Sequence, residues 1–219
     1  MEREAILGRI RKTGVIPVIR APSADDALAA VDALLAGGLD IVELMMSVPS
    51  AIRVIEQVVA RHGSTAVIGA GTVLDAETAR TCILAGAAFI VSPSVDPPTI
   101  RACRTYSVPA VPGALTPTEI VHAWREGADL VKVFPCSAVG GASYIKALRA
   151  PLPQIELVPT GGVTAATAAD YIAAGAYAVG AGADLVDIAR LRQGDRAAVT
   201  DNARRYVAAV AAARQARKG

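Results

Sequence analysis

The stretch Glu126-Gly127-Ala128-Asp129-Leu130-Val131-Lys132-Val133-Phe134-Pro135 decides the fold. Its opening reads as the glycine-marked end of a helix, and residues 130–134 read as a short apolar strand entered directly from it. The same grammar recurs at 36–44 (AGGLDIVEL), 85–93 (AGAAFIVSP) and 173–182 (AAGAYAVGAG). Between these lie further apolar runs at 15–20, 66–69, 108–112 and 156–159, each followed by a glycine, proline or polar turn and a helical pattern. Strand starts are therefore expected near Val15, Ile41, Ala66, Phe89, Val108, Leu130, Glu156 and Ala178. Spacings of roughly 20 to 25 residues suit repeated βα units with short loops. Eight such units predict an α/β fold closed as a (β/α)8 TIM barrel. An open doubly wound sheet is the competing arrangement, because sequence alone does not show closure.

A chain of 219 residues suits one such barrel, so a single domain over residues 1–219 is expected. Residues 1–14 (MEREAILGRIRKTG) mix charges with spaced apolar residues. They read as an N-terminal cap helix and not as a secretory leader. The 53% apolar composition comes largely from alanine, with no run of about 18 apolar residues, so no membrane span is expected. Cys82, Cys103 and Cys136 are odd in number and far apart, which argues against a disulfide framework and fits a reducing cytoplasm. A net charge of +2 with dispersed arginines argues against a nucleic-acid partner. The basic run at 204–218 reads as the solvated face of an alanine-rich helix. His62 and His122, both in helical patterns, provide neither a histidine metal cluster nor a serine-histidine-aspartate triad.

On a barrel, chemistry sits where strands end and βα loops begin. Those ends carry Arg20, Glu43, Gly69-Ala70-Gly71-Thr72, Ser92-Pro93, Pro112-Gly113, Lys132 with Phe134-Pro135, Thr160-Gly161-Gly162, and Gly180-Ala181-Gly182. Two of these are ionisable groups within apolar strands. The chain has only four lysines, and Lys12, Lys146 and Lys218 fall in segments read as exposed helix. Lys132 instead interrupts Leu130-Val131 and Val133-Phe134. An ammonium there is costly to bury, and desolvation favours the neutral, nucleophilic amine. Glu43, between Val42 and Leu44 on the second strand, is the expected partner and proton shuttle. The structural alternative is an ion pair serving stability alone, though buried pairs gain little net free energy.

At Glu43, Gly69-Ala70-Gly71-Thr72-Val73, Ser92-Pro93, Pro112-Gly113, Lys132-Val133-Phe134-Pro135 and Pro159-Thr160-Gly161-Gly162, the chain resembles the 2-keto-3-deoxy-6-phosphogluconate (KDPG) aldolase family. That family includes 4-hydroxy-2-oxoglutarate (KHG) aldolases and 6-phosphogalactonate-type relatives. The resemblance covers about residues 15–186, and the order and spacing of the motifs carry it. It implies a class I aldolase, a carbon-carbon lyase without cofactor or metal, that releases pyruvate. Lys132 would be the Schiff-base residue, Glu43 the general acid and base, and Thr72 a ligand of the pyruvyl carboxylate. Phe134 and Pro93 would shape the pocket. The implied partner is a small 2-keto acid, and the implied assembly is a homotrimer.

Two departures from the family pattern concern binding. Some members carry an arginine four positions after the glutamate, where this chain has Ser47; Arg20, at the end of strand one, is positioned to replace it at the carboxylate. Where a phosphate-binding serine is common, this chain has Ala183. Backbone amides of Gly161, Gly162, Gly182 and Ala183 then remain for a phosphate, in the loops after strands seven and eight. Asp184 is expected to cap the following helix. Thr160 matches gluconate-type enzymes, whereas Ala183 motivates an unphosphorylated substrate or KHG as the alternative. A non-catalytic sugar-phosphate-binding barrel is the reading from another class.

Three other signals point to nothing further. Gly69-Ala70-Gly71 lacks the third glycine of a dinucleotide fingerprint. Cys136 reads as a small filler residue without a base to activate it. Trp124 and Met45-Met46 read as core or pocket wall.

Overall fold

The computed structural model describes residues 2–216. Met1, at the start of the expected cap helix, and Lys218, at the end of the basic run, lie outside the described residues. In chain order the elements are α1 (Arg3–Thr13), β1 (Val15–Ile19), α2 (Ala24–Ala36), β2 (Ile41–Met45), α3 (Ala51–His62), β3 (Val67–Gly71), α4 (Ala76–Leu84), β4 (Phe89–Val91) and α5 (Pro97–Thr105). There follow β5 (Ala110–Val111), β6 (Gly113–Ala114), α6 (Pro117–Arg125), β7 (Val131–Val133), a 3-10 turn at Ser137–Val139, α7 (Ala142–Arg149), β8 (Leu157–Pro159), α8 (Ala168–Ala173), β9 (Val179–Ala181), α9 (Ile188–Arg192) and α10 (Arg196–Ala216).

Local chemistry sets many of the boundaries. Ser23, Asp75 and Asp96 cap α2, α4 and α5 by accepting from the backbone three residues on. Thr116 and Glu119 form a reciprocal capping box at α6, with Pro117 in the first turn, where its missing N–H is not needed. Gly14 ends α1 in the left-handed region at φ 70°, a conformation open to glycine at little steric cost.

All strand pairings are parallel. Six strands run in the order β5-β4-β3-β2-β1-β9 and three in the order β6-β7-β8. Pro112 alone separates β5 from β6, and a single parallel bridge, Thr160 to Gly180, joins the end of β8 to β9. The sheet is thus a curled parallel sheet in an α/β fold. Strand five differs from its sequence reading. It begins at Ala110 instead of Val108 and continues past Pro112 to Ala114, because a proline that cannot donate interrupts the ladder while its carbonyl still accepts from the Lys132 N–H at 2.9 Å.

The side-chain period of two divides the buried apolar residues into two clusters. Val42, Leu44, Val131 and Val133 face the helices that surround the sheet. Ile16, Ile41, Val67, Phe89, Val111, Leu130, Val158 and Ala178 meet inside the curl, where Ile6 and Ile10 of α1 join them. That inner cluster is the floor on which the site stands. At the other end of the chain, Val199, Ala203, Tyr206 and Val210 form a buried stripe on α10, so this helix is anchored to the core and only its other faces are solvated. Trp124, expected in the core or a pocket wall, is 42% exposed on α6.

Candidate active site

Moving along each strand by steps of two from the inner cluster leads into one cavity of about 710 Å³. On β1 the path runs from Ile16 through Val18 to Arg20, and on β2 from Ile41 through Glu43 to Met45. On β7 it runs from Leu130 through Lys132 to Phe134, and past β8 from Val158 through Thr160 to Gly162. Thr72, Pro93, Gly161, Gly182 and Ala183 complete the sequence-derived members of the lining.

Lys132 and Glu43 come from β7 and β2, which are not neighbours in either ladder, yet Lys132 Nζ lies 3.8 Å from Glu43 Oε1. Both residues are buried. At that separation the two groups attract without a formed hydrogen bond. Glu43 Oε1 is a buried oxygen without a hydrogen-bond partner, and burial, opposed by the nearby charge of Lys132, pushes the carboxyl above its ordinary range. A carboxyl so placed can give and take protons next to an amine. Phe134 flanks the same amine, with its ring centre 5.3 Å from Nζ.

Glycines create the room. A Cβ on Gly71 would stand 2.0 Å from Glu43 Oε1, and one on Gly69 would stand 2.2 Å from the Phe89 ring. At the bridge between β8 and β9, a Cβ on Gly180 would meet Thr160 Oγ1 at 2.3 Å. Thr72, at the end of β3, is held at φ 58°, a strained conformation for a β-branched residue of the kind that clusters at functional sites.

The remaining expectations divide. Arg20 lines the cavity, is exposed, and makes no ion pair among the described residues, so a rim salt bridge does not account for it. Ser47 is exposed in the turn after β2 and is not among the residues lining the cavity. Asp184 does not cap the helix that follows. Its carboxylate accepts from the Ala165 N–H and the Tyr206 hydroxyl, while Asp187 caps α9. A single helical turn closed by the Leu185 and Val186 amides on the Gly182 carbonyl intervenes, which moves the cap three residues on. Cys136 is buried and its thiol is pushed up to about 11 by burial, as befits a filler. The sequence reading missed Val18, the Thr164 wall and Asp187; the two-residue step back from Arg20 would have found Val18. Among the described residues, no three His, Cys, Asp or Glu side chains gather as a metal would need, and no helix is long and apolar enough to cross a membrane.

A curled parallel α/β sheet that brings a buried amine and carboxyl to the strand ends, under a cavity of this size, defines an enzyme that acts on small molecules. The family model for KDPG and KHG aldolases matches residues 6–202. The 2-dehydro-3-deoxy-6-phosphogalactonate aldolase of Escherichia coli K12 is 39% identical over 175 residues, 80% of this chain and 85% of that protein. The 2-dehydro-3-deoxy-phosphogluconate aldolase of Haemophilus influenzae is 35% identical over 170 residues, 78% and 80% of the two chains. Among solved structures, the Legionella pneumophila KDPG aldolase, with pyruvate captured as a covalent carbinolamine, superposes with a TM-score of 0.84 at 28% identity, covering 91% of this chain and 96% of that one. The chain belongs to the KDPG and KHG aldolase family, and it is a carbon-carbon lyase.

Proposed function

We propose that Lys132 is the Schiff-base residue and Glu43 the general acid and base of a metal-independent class I aldolase that cleaves KDPG to pyruvate and glyceraldehyde 3-phosphate. The observation that carries this is the buried pair at 3.8 Å beneath the cavity. The amine attacks the C2 ketone to give a carbinolamine, and loss of water gives an iminium. The Glu43 carboxylate removes the proton of the C4 hydroxyl, the C3–C4 bond breaks, and its electrons form the enamine as the aldehyde leaves. Glu43 returns a proton to C3, and hydrolysis frees pyruvate and restores the amine. The carbinolamine captured in the Legionella relative supports the same order of events.

Around this centre, Thr72 and Arg20 hold the carboxylate, with Arg20 in place of the arginine absent at Ser47. Phe134 and Pro93 shape the pocket, and Thr160 with the amides of Gly161, Gly162, Gly182 and Ala183 takes the far end of the substrate. The chain forms one domain, an eight-stranded barrel closed through Pro112 and the Thr160 bridge and plugged by α1; the inner apolar cluster with Ile6 and Ile10 supports closure. A homotrimer follows from the family resemblance, and the three free cysteines suit the cytoplasm.

Incubation with pyruvate and borohydride should add a reduced pyruvyl group at Lys132, and Lys132→Ala should abolish cleavage while keeping the fold. Pyruvyl attachment elsewhere, or full turnover in the variant, overturns the mechanism. A second substrate reading takes the galactonate epimer or the unphosphorylated KHG. It is favoured by the 39% identical galactonate-type relative and by Ala183. Relative kcat/KM across KDPG, its C4 epimer and KHG decides between the two.

A further inference from the structure

The loops after β8 and β9 supply about half of the cavity wall, and both are fastened to one helix. Tyr206 of α10 is fully buried, and its hydroxyl oxygen lies 3.0 Å from the Val163 carbonyl and 2.8 Å from Asp184 Oδ2. The same Oδ2 accepts from the Ala165 N–H at 3.1 Å. Asn202, one turn earlier on the same face of α10, donates to the Asp184 carbonyl at 3.0 Å. Val163 and Ala165 follow Gly161-Gly162, and Asp184 follows Gly182-Ala183. One hydroxyl and one carboxylate therefore set the distance between the two glycine loops. Burial first, and the hydrogen bond to Asp184 next, push the phenol up, so it remains protonated and a donor throughout the neutral range.

We propose that Tyr206, with Asp184 and Asn202, is a positioning unit that fixes the two glycine loops for the end of the substrate remote from the ketone. None of the three need touch the reacting atoms. With Ala183 in place of a hydroxyl, recognition at that end rests largely on backbone amides, whose usefulness depends on loop spacing. This inference rests on the aldolase reading above.

Its test separates binding of the distal end from chemistry at the amine. Tyr206→Phe keeps the ring and removes the hydroxyl. Steady-state cleavage of KDPG gives KM and kcat, and exchange of the pyruvate methyl protons in deuterated water reports Lys132 and Glu43 without any distal group. The expected result is a KM raised about tenfold, with kcat and methyl exchange within about twofold of the parent, the signature of lost binding common to ground and transition states. Asn202→Ala, on a half-buried surface position, should raise KM in the same direction by a smaller factor, and it decides the matter if Tyr206→Phe does not fold. Unchanged KM in the folded variants, or equal losses in cleavage and exchange, overturns the positioning role. A parent enzyme that neither exchanges methyl protons nor is trapped by pyruvate and borohydride overturns the aldolase reading and this inference with it.

Discussion

Replacing Gly71 by alanine tests whether the carboxyl position is set by an empty space. Gly71 is the last residue of β3, and its Cβ would stand 2.0 Å from Glu43 Oε1, 2.6 Å from Cδ and 2.7 Å from Cγ. Ordinary contact begins at 3.4 Å, so the carboxylate must retreat by about 1.4 Å, the difference between these distances. Glu43 is buried, with Lys132 Nζ 3.8 Å from the same Oε1, and has little freedom to yield. A displacement of about 1 Å in a reacting constellation can cost on the order of a hundredfold in rate. That corresponds to roughly 2.7 kcal/mol of barrier, against an overpacking cost to stability of about 1–3 kcal/mol. Pyruvate release followed by a coupled assay should therefore show kcat down by about ten- to a hundredfold in a protein that still melts cooperatively. In a Glu43→Asp background, where the side chain is one methylene shorter, the same alanine should add much less loss, because the clash is with the longer side chain. Turnover within about twofold of the parent, or the same penalty in both backgrounds, would refute the steric reasoning.

Three further outcomes are expected. Burial raises the Glu43 pKa above its ordinary 4.5, so its contribution to stability is full below that value and is lost as pH rises through the folded-state pKa. Melting curves from about pH 5 to pH 8 should show Glu43→Gln gaining on the parent as pH rises, each kcal/mol reading as about 2–4 °C in Tm; a constant difference contradicts the assignment. Ala183→Ser restores a hydroxyl to the wall of the cavity and should lower KM for a phosphorylated substrate by about tenfold, with little change for KHG; equal effects on both would remove phosphate from that end. Cys82, Cys103 and Cys136 are buried, with thiols pushed up to about 11, 12 and 11, so iodoacetamide at neutral pH should label them, by intact mass, only after denaturation.

Lys132 and Glu43 were legible because charge inside an apolar strand is rare and has few innocent explanations. The strand grammar was legible for a similar reason, since helix ends and strand starts carry local signals. What escaped depends on partners distant in sequence. Gly71 was noted as part of a motif, but that its missing Cβ makes space for Glu43 depends on how the side chains of β2 and β3 meet. Asp184 and Asp187 are one turn apart and equally plausible as caps, and the choice between them rests on a hydrogen-bonded turn at Gly182 that sequence does not announce. Tyr206 lay within the run read as a solvated basic face. Its periodicity with Val199, Ala203 and Val210 was available, but the hydrogen bonds that give it meaning were not.

The depth of the amine follows from the same alternation that builds the floor. One step of two below Lys132 is Leu130, locked in the inner apolar cluster, where an amine would be desolvated but beyond the reach of any substrate. One step above is Phe134, 39% exposed, where an amine would be reachable but hydrated and charged. Position 132 alone on this strand combines desolvation with access to the cavity, and Glu43 stands at the matching level on β2, between buried Ile41 and the cavity-lining Met45. The pairing of the two therefore reflects a shared height in the curl, set by strand register, and the glycines around them keep that level open.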